Sequence, residues 1–383
     1  MLRTLIVHPH LSVVGGSEEL TRHLIKQFVE MGIDVGVLTG DIGCNPVPAR
    51  TWLIESRVGD SVAERFCDVV LSFDRVMKKF EPDVVIVMIH EPLYAVASKI
   101  VSPGTPVVIY IHFPIEEELS KEKLKEFYKF YRFPIFEPVM YRVPDVHVVN
   151  SLYTARALYS MFGIEANIVY PCISKEYLEE EPDLEREREP IILTVGRLVP
   201  QKNHRVVVEA FKEVKKYVPE SRLIIVGPKD PRFEDYYEEL RAMIDEVKDA
   251  ELIVDASKRQ LIDLYREAKV YVHARIGEHF GLAPLEAMSQ GAIVVTHSTT
   301  GVAEVFSPEK DMVVYTGFRE LVESIVKVLR MPRDKLVEMR KRVRAKTMFF
   351  SPERFAREML GMVRMAIENK SRITPPALRA IPA

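Results

Sequence analysis

Two carboxylates eight residues apart, Glu278 and Glu286, bracket the run Glu278-His279-Phe280-Gly281-Leu282-Ala283-Pro284-Leu285-Glu286. Pro284 suits the first position of a helix, where the N–H it lacks has no intrahelical partner. Gly291 suits a left-handed residue just past the end of that helix. On this reading Glu278 sits in the loop before a short helix and Glu286 in its first turn. Backbone N–H groups from about Phe280 to Ala283 then face the mouth, where a helix start carries roughly half a positive elementary charge and favours a phosphate. Acids on either side of an anion site make chemical sense when the ligand also carries hydroxyls. Two diols want fixed acceptors and the phosphate between them wants donors, which together describe a sugar nucleotide. A pair of ordinary surface glutamates shares the spacing, and the remaining chain decides between the two.

A second constellation supports the first. Gly196-Arg197 follows the apolar run Ile191–Val195, and Lys202 comes five residues after Arg197. A guanidinium fork and an ammonium on one strand-end loop can bracket a diphosphate. Either cation alone reads equally well as a solvated surface charge. Joined to the two glutamates, at strand ends of the same sheet, the set becomes specific. Gly15-Gly16 lies at a strand-to-helix turn, where a ligand can come close to the bare backbone, although a tight turn uses the same glycines. The spacing is not G-x-G-x-x-G, so the dinucleotide fingerprint is missing. His112 ends an apolar run at a carboxyl mouth, where parallel sheets take ligands; a purely structural histidine is the alternative. No Asp-x-Asp occurs, so the usual carboxylate clamp for a divalent metal on a diphosphate is missing, and neither a metal site nor a resident cofactor is expected.

The elements that must position these residues follow from patterning. The chain has 383 residues, beyond the roughly 250–300 at which single cores stop growing, so two domains are expected. A hydrophobic content of 47% with 28% charged residues describes a soluble globular protein. The net charge of −3 provides no basic field for nucleic acid. Cys44, Cys67 and Cys172 are scattered without metal spacing, which points to a reducing compartment and no disulfide framework. The start, MLRTLIVHPH, has too short an apolar run for a signal peptide, and no run approaches the ~18 residues of a membrane span, so a cytoplasmic location is expected. Asn and Gln are scarce beside Glu, Lys and Arg, a bias that fits a heat-adapted source. No repeat of 20–50 residues is visible.

Buried strands are expected over Leu2–Val7, Ile33–Leu38, Asp83–Ile89, Pro106–Ile111, Val146–Asn150 and Asn167–Pro171, with helices capped by Ser17 and Ser151 and another over Ser61–Phe80. In the second half strands are expected over Ile191–Val195, Arg222–Val226, Glu251–Val254, Val270–His273, Ala292–Thr296 and Met312–Tyr315. They alternate with helices over His204–Val218, Arg232–Val247, Arg259–Ala268, Pro284–Gln290 and Phe318–Leu329. Arg333–Lys346 and Pro352–Asn369 close the chain. The alternation predicts parallel sheets with helices on both faces. The charged, proline-containing stretch 174–190 reads as a linker. Lys121–Arg142 mixes aromatic and basic residues, which fits either a helix packed on its own domain or an amphipathic helix lying in a membrane interface.

The residues GG at 15–16, GRLVPQKN at 196–203 and EHFGLAPLE at 278–286, the last an E-x7-E signature, resemble those of the retaining nucleotide-sugar glycosyltransferases of family 4. The likeness spans nearly the whole chain and is strongest over 190–305. IYIHFP at 109–114 and GEHFGL at 277–282 look most like mannosyltransferases that extend lipid-linked oligosaccharides. The resemblance implies a GT-B fold: two Rossmann-like, doubly wound α/β domains facing a cleft, here 1–173 on the acceptor side and 191–350 on the nucleotide-sugar side. The segment 351–383 would pack back on the first domain. It implies that Arg197 and Lys202 hold the donor diphosphate and stabilise the leaving group. Glu286 would accept ribose hydroxyls, Glu278 would contact the donor sugar, and the N–H groups of Phe280, Gly281 and Leu282 would steady its hydroxyls or the phosphate. Gly196 would belong to the same donor-binding loop, and Gly15 and Gly16 would let the first domain close on the phosphates or acceptor. His112 would line the catalytic centre beside the donor sugar. The implied donor is GDP-mannose, a co-substrate rather than a cofactor, and the implied acceptor a glycan or lipid-linked saccharide. A peripheral contact with the cytoplasmic membrane face would run through 121–142. A UDP-sugar donor, a sugar-nucleotide epimerase and a non-catalytic sugar-nucleotide binder stay open as rival readings. A starch or glycogen synthase fits less well, because HLSVVGGSEE lacks the Lys-Thr-Gly-Gly pattern of such enzymes.

Overall fold

The structure is a computed structural model that describes residues 1–12, 15–43, 46–54, 62–114 and 137–373. The chain divides into two compact units, one of residues 1–172 with 352–383, the other of residues 173–351.

The first unit is built on strands β1 (Arg3–Val7), β2 (Asp34–Thr39), β3 (Arg50–Leu53), β4 (Val84–Val87), β5 (Val107–Ile111), β6 (Val146–Val149) and β7 (Asn167–Ile168). They form one parallel sheet in the order β3-β2-β1-β4-β5-β6-β7. Side chains on successive strand residues point to opposite faces, and the sheet buries both. Leu5, Val7, Val85, Val87 and Ile109 join a core with Phe73, Phe80, Tyr94 and Leu158. Ile6, Val37, Ile86 and Val108 join another with Leu20, Leu24, Phe28, Phe355 and Met359. Apolar runs buried on two sides are what a helix-covered parallel sheet requires. The closing helix, Pro352–Ile373, thus belongs to the first unit, where Arg354 donates to the carbonyls of Tyr170 at 2.6 Å and Pro171 at 2.7 Å.

The second unit carries β8 (Ile191–Val195), β9 (Arg222–Gly227), β10 (Ala250–Val254), β11 (Val270–His273), β12 (Ile293–His297) and β13 (Val313–Tyr315) in one parallel sheet, ordered β10-β9-β8-β11-β12-β13. In both sheets the strand order reverses beside the first strand, between β1 and β4 and between β8 and β11. A ligand crevice forms outside the carboxyl ends of strands at such a reversal.

Four details differ from the sequence reading. Gly15, not Ser17, caps the first helix (Gly16–Glu30), and the Ser17 hydroxyl instead donates to Glu18 at 2.9 Å. The edge strand β3 and the helix Leu93–Val101 have no counterpart in that reading. The stretch 174–190 packs onto the second unit instead of hanging as a tether: Tyr177, Leu178 and Arg188 are buried there. Arg188 donates to the carbonyls of Tyr265, Ala268 and Gln290, which end two helices, so a charged residue serves as an internal brace. Finally, the short helix of the acidic motif begins earlier than expected, as described below. Of the aromatic and basic segment 121–142, residues 121–136 lie outside the described residues.

Candidate active site

The carboxyl edge of the second sheet gathers the polar residues. β8 runs into Gly196-Arg197, a short 3-10 turn over Pro200–Lys202, and Asn203, whose left-handed backbone (φ 54°) turns the chain into the helix His204–Val214. Two anchors hold this loop. The Asn203 amide donates to the Ala274 carbonyl at 3.0 Å, and the buried His204 places Nε2 3.1 Å from the Arg197 carbonyl. Burial pulls the His204 pKa down to about 4, so its ring is neutral at pH 7 and Nε2–H donates. On the neighbouring strand, a Cβ at Gly227 would sit 1.8 Å from the Gly196 carbonyl oxygen. Only glycine lets these two strand ends approach so closely.

The Lys202 stem passes over Gly196, where an added Cβ would lie 3.4 Å from its Cγ and Cδ. Its ammonium reaches Oε2 of Glu278 at 2.9 Å. His273, the last residue of β11, brings Nε2 to the same oxygen at 3.0 Å, and Arg275 brings Nε to 3.7 Å. Burial would raise the Glu278 pKa, but the Lys202 charge, the His273 hydrogen bond and Arg275 outweigh it and hold the carboxyl well below the usual carboxylate range. Burial also lowers the His273 pKa, with Glu278 opposing in part, so His273 serves as a neutral donor.

Arg197 takes no part in that cluster. Its side chain is 51% exposed, with Nη1 3.6 Å from Oδ2 of Asp230, in the loop after β9. Asp230 is engaged chiefly by Arg232, at 2.9 and 2.7 Å, and that hydrogen bonding brings its pKa down to about 2. The Arg197 guanidinium is therefore tethered at one end of a long, loosely held side chain.

The loop bearing Glu278 is stapled to the end of β12: Glu278 N–H donates to the Thr299 carbonyl at 3.1 Å and Gly301 N–H to the Glu278 carbonyl at 2.8 Å. Phe280 is buried against Phe350 and anchors the loop from below. Gly281 caps the helix Leu282–Ser289 with φ 103°, a region that favours glycine, and supplies no side chain to the helix start. The first-turn N–H groups have no intrahelical partner, so this start stands ready for an anion. Pro284 is the third helical residue rather than the first. The substitution of position is harmless because every N–H of the first turn is an orphan. Glu286 is consequently the fifth residue, past the first turn, and its Oε2 accepts the buried Tyr265 hydroxyl at 3.1 Å. Gly291 has φ 83°, as a left-handed stop requires.

Of the residues singled out in sequence, Lys202 and Glu278 are thus in direct contact, and the Lys202 stem runs over Gly196. Arg197, Phe280, Gly281, Leu282 and Glu286 share the same edge of the sheet, with other partners. In the first unit, Gly15 caps the first helix, Gly16 opens it, and the Glu18 carboxylate lies over Gly15, where it would meet an added Cβ. His112 follows β5 and places Nε2 3.3 Å from the Met88 carbonyl. His273, Arg275, Asp230, His204 and Tyr265 escaped the sequence reading. The polar residues His273 and Arg275, one ending and one following the otherwise apolar strand Val270–His273, were the available signal. Among the described residues no group of three or more His, Cys, Asp or Glu side chains is placed to hold a metal ion. Nor is any described helix long and apolar enough to cross a membrane.

The halves of the chain match two adjoining family descriptions, Glycosyltransferase Family 4 over residues 14–177 and Glycosyl transferases group 1 over residues 178–347. This chain belongs to the family 4 glycosyltransferases. The glycosyltransferase is 24% identical to the GDP-Man:Man(3)GlcNAc(2)-PP-Dol alpha-1,2-mannosyltransferase of Neurospora crassa, over 94% of this chain and 74% of that protein. It is 28% identical to the human protein of the same name, over 64% of this chain and 53% of that one. It is also 24% identical to the alpha-1,3/1,6-mannosyltransferase ALG2 of Yarrowia lipolytica, over 88% and 84%. Among solved structures, the sucrose-phosphate synthase of Thermosynechococcus elongatus superposes with a TM-score of 0.78 at 17% identity, covering 96% of this chain and all of that one. Anabaena Alr3699/HepE, solved with UDP and glucose, superposes with 0.75 at 16%, covering 95% of this chain and all of that one. These likenesses show the GT-B fold.

Proposed function

We propose that this glycosyltransferase moves mannose from GDP-mannose to a hydroxyl of a lipid-linked saccharide, with retention of configuration and without a metal ion. One observation carries the reading. At the strand-order reversal of the second sheet, Lys202 and Glu278 meet 2.9 Å apart beside a helix start that has no side-chain cap. The choice of mannose, of the guanine base and of a lipid-linked acceptor rests on the names of the relatives. Arg197 and Lys202 bracket the diphosphate, with the first-turn N–H groups at Gly281 and Leu282 as further donors. The three contacts to Glu278 all fall on Oε2, which leaves Oε1 for a hydroxyl of the donor hexose. Glu286, oriented by Tyr265, takes the ribose diol.

The chemistry follows. The bond from the anomeric carbon to the diphosphate oxygen breaks, and its electron pair leaves on GDP. Fixed cations and helix-start dipoles stabilise that charge at no reorganisation cost. The acceptor hydroxyl attacks from the face the diphosphate is leaving and gives its proton to a departing phosphate oxygen. Glu278, held ionised, stabilises the positive character of the sugar. Residues 121–142, with their aromatic and basic content, would hold the protein against the cytoplasmic membrane face that carries such acceptors.

The test is a donor panel of GDP-mannose, UDP-glucose and ADP-glucose with Man(3)GlcNAc(2) linked through pyrophosphate to a phytanyl chain. Transfer from GDP-mannose alone, undiminished in EDTA, supports the proposal. Transfer only from UDP-glucose contradicts the donor assignment. An epimer formed without acceptor contradicts transfer, and metal-rescuable loss in EDTA contradicts the metal-free site.

A further inference from the structure

The Lys202 ammonium is closed on Glu278 Oε2 at 2.9 Å, and a diphosphate bound at the same sheet edge draws it away from that oxygen. A point charge on a flexible four-carbon stem makes such a swing easy. The other contacts of Glu278 decide what then fixes its carboxylate. Arg275 Nε, at 3.7 Å, is outside hydrogen-bond distance. His273 Nε2, at 3.0 Å, is within it. His273 is also the least exposed of the three side chains, at 5% against 16% for Arg275 and 20% for Lys202. It ends β11, pairs in register with Thr296 of β12, and stacks with the Tyr271 ring, centroids 6.4 Å apart.

The sense of this bond is fixed. Glu278 is held ionised, so its oxygen accepts and His273 Nε2 carries the hydrogen. Burial lowers the His273 pKa, Glu278 opposes in part, and Lys202 and Arg275 add to the lowering, so the ring is uncharged at pH 7. The type of donor matters. An uncharged N–H grips one oxygen and leaves the carboxylate its full charge, whereas an imidazolium would grip it and offset that charge. Oε1 has no polar partner among the described residues, and the Glu278 side chain keeps 13% of its surface exposed.

We propose that His273 is a positioning residue: by holding Oε2 of Glu278 it aims Oε1 at a hydroxyl of the donor hexose, and it keeps that aim when Lys202 leaves for the diphosphate. This rests on the donor-site reading above and goes beyond it in giving His273 a part. The histidine does not touch the sugar. Glu278 makes the contact, and His273 lets the carboxylate stay fixed and fully charged opposite the positive character that develops on the sugar.

The experiment compares His273→Phe, which removes the N–H, with His273→Gln, whose amide restores one near the Nε2 position. The donors are GDP-mannose and a panel of its singly deoxygenated analogues, and the acceptor is the phytanyl-pyrophosphate-linked Man(3)GlcNAc(2). In the unmodified protein, removing the hydroxyl that Glu278 binds lowers kcat/KM about ten- to hundred-fold. His273→Phe loses a similar factor with GDP-mannose, and then treats that deoxy donor and GDP-mannose alike within about three-fold. It keeps the thermal shift given by GDP, which carries no hexose, and His273→Gln recovers most of the rate and of the discrimination. If His273→Phe does not fold, His273→Asn, polar but too short to reach Oε2, takes its place. In the unmodified protein 15N NMR is expected to find an uncharged ring with hydrogen on Nε2, both free and with GDP-mannose. Undiminished discrimination in His273→Phe, a loss of GDP binding that matches the loss of turnover, an Nδ1–H tautomer or an imidazolium would each overturn the proposal. Failure of the unmodified protein to transfer mannose would instead remove the function proposed above, leaving the two failures distinguishable.

Discussion

Replacing Lys202 by Ala separates a structural ion pair from a catalytic cation. In the folded protein the ammonium is 2.9 Å from Glu278, with side-chain exposures of 20% and 13%. Deleting it does not orphan the carboxylate, because His273 at 3.0 Å and Arg275 at 3.7 Å still face the same oxygen. The stability cost is therefore that of one charge-assisted bond, about 1.5–3 kcal/mol, rather than the 3–5 kcal/mol of a stranded buried charge. If Lys202 also stabilises the departing diphosphate, turnover falls far more, by about 10²–10³, or about 3–4 kcal/mol. Urea denaturation and initial rates of mannosyl transfer, measured on the same preparation, give both numbers. Lys202→Arg should recover part of the rate. A variant that loses the stability but turns over within about three-fold of the parent would refute the assignment, because Lys202 would then be only a partner of Glu278.

Further predictions concern other parts of the molecule. Arg197→Ala should lower turnover by about 10²–10³ with almost no loss of stability, since its only described partner, Asp230, keeps Arg232; a stability loss without a rate loss would contradict this. Gly227→Ala drives a Cβ to within 1.8 Å of the Gly196 carbonyl and should cost about 1–3 kcal/mol in urea denaturation and disturb the loop bearing Lys202; parental stability and turnover would refute the close approach. His8, His112, His204 and His279 all have pKa values depressed by burial, to about 3 for the first and about 4 for the others. The unfolded chain takes up protons at about pH 6.5 and the folded chain does not, so stability falls as pH drops below 6.5 and levels off only near pH 3–4. At pH 5.5 each histidine should cost about 1 kcal/mol, and a melting temperature flat between pH 7 and 5 would contradict their burial as neutral rings.

Much of this architecture was legible in the sequence. Ile191–Val195 and Val270–His273, each apolar but for one residue, occupy strand positions with the bounds expected of them, because a strand buried on both faces admits little else. The exposed edge strand Arg50–Leu53 has no such run. It is held by the Arg50–Asp34 ion pair at 2.6 Å and by Trp52 packing on Phe80, partners far away in sequence. The helix Leu93–Val101 is rich in valine and isoleucine, and burial of Tyr94, Ala95 and Ala97 overrides that local bias. The charged stretch 174–190 reads as a linker because composition does not reveal that Arg188 would cap two helix ends. In the site, residue types pointed to Lys202 and Glu278 as candidates, yet the convergence of Lys202, His273 and Arg275 on one oxygen is a spatial fact. Three chain segments meet there, and their spacing in sequence carries no trace of it.

The measurement closest to the central claim is a crystal structure of the protein with GDP. The account predicts the diphosphate at the carboxyl edge of the second sheet, within hydrogen-bond distance of Lys202, Arg197 and the N–H groups of Gly281 and Leu282, with the ribose on Glu286. A diphosphate bound elsewhere, with Lys202 still closed on Glu278, would contradict it.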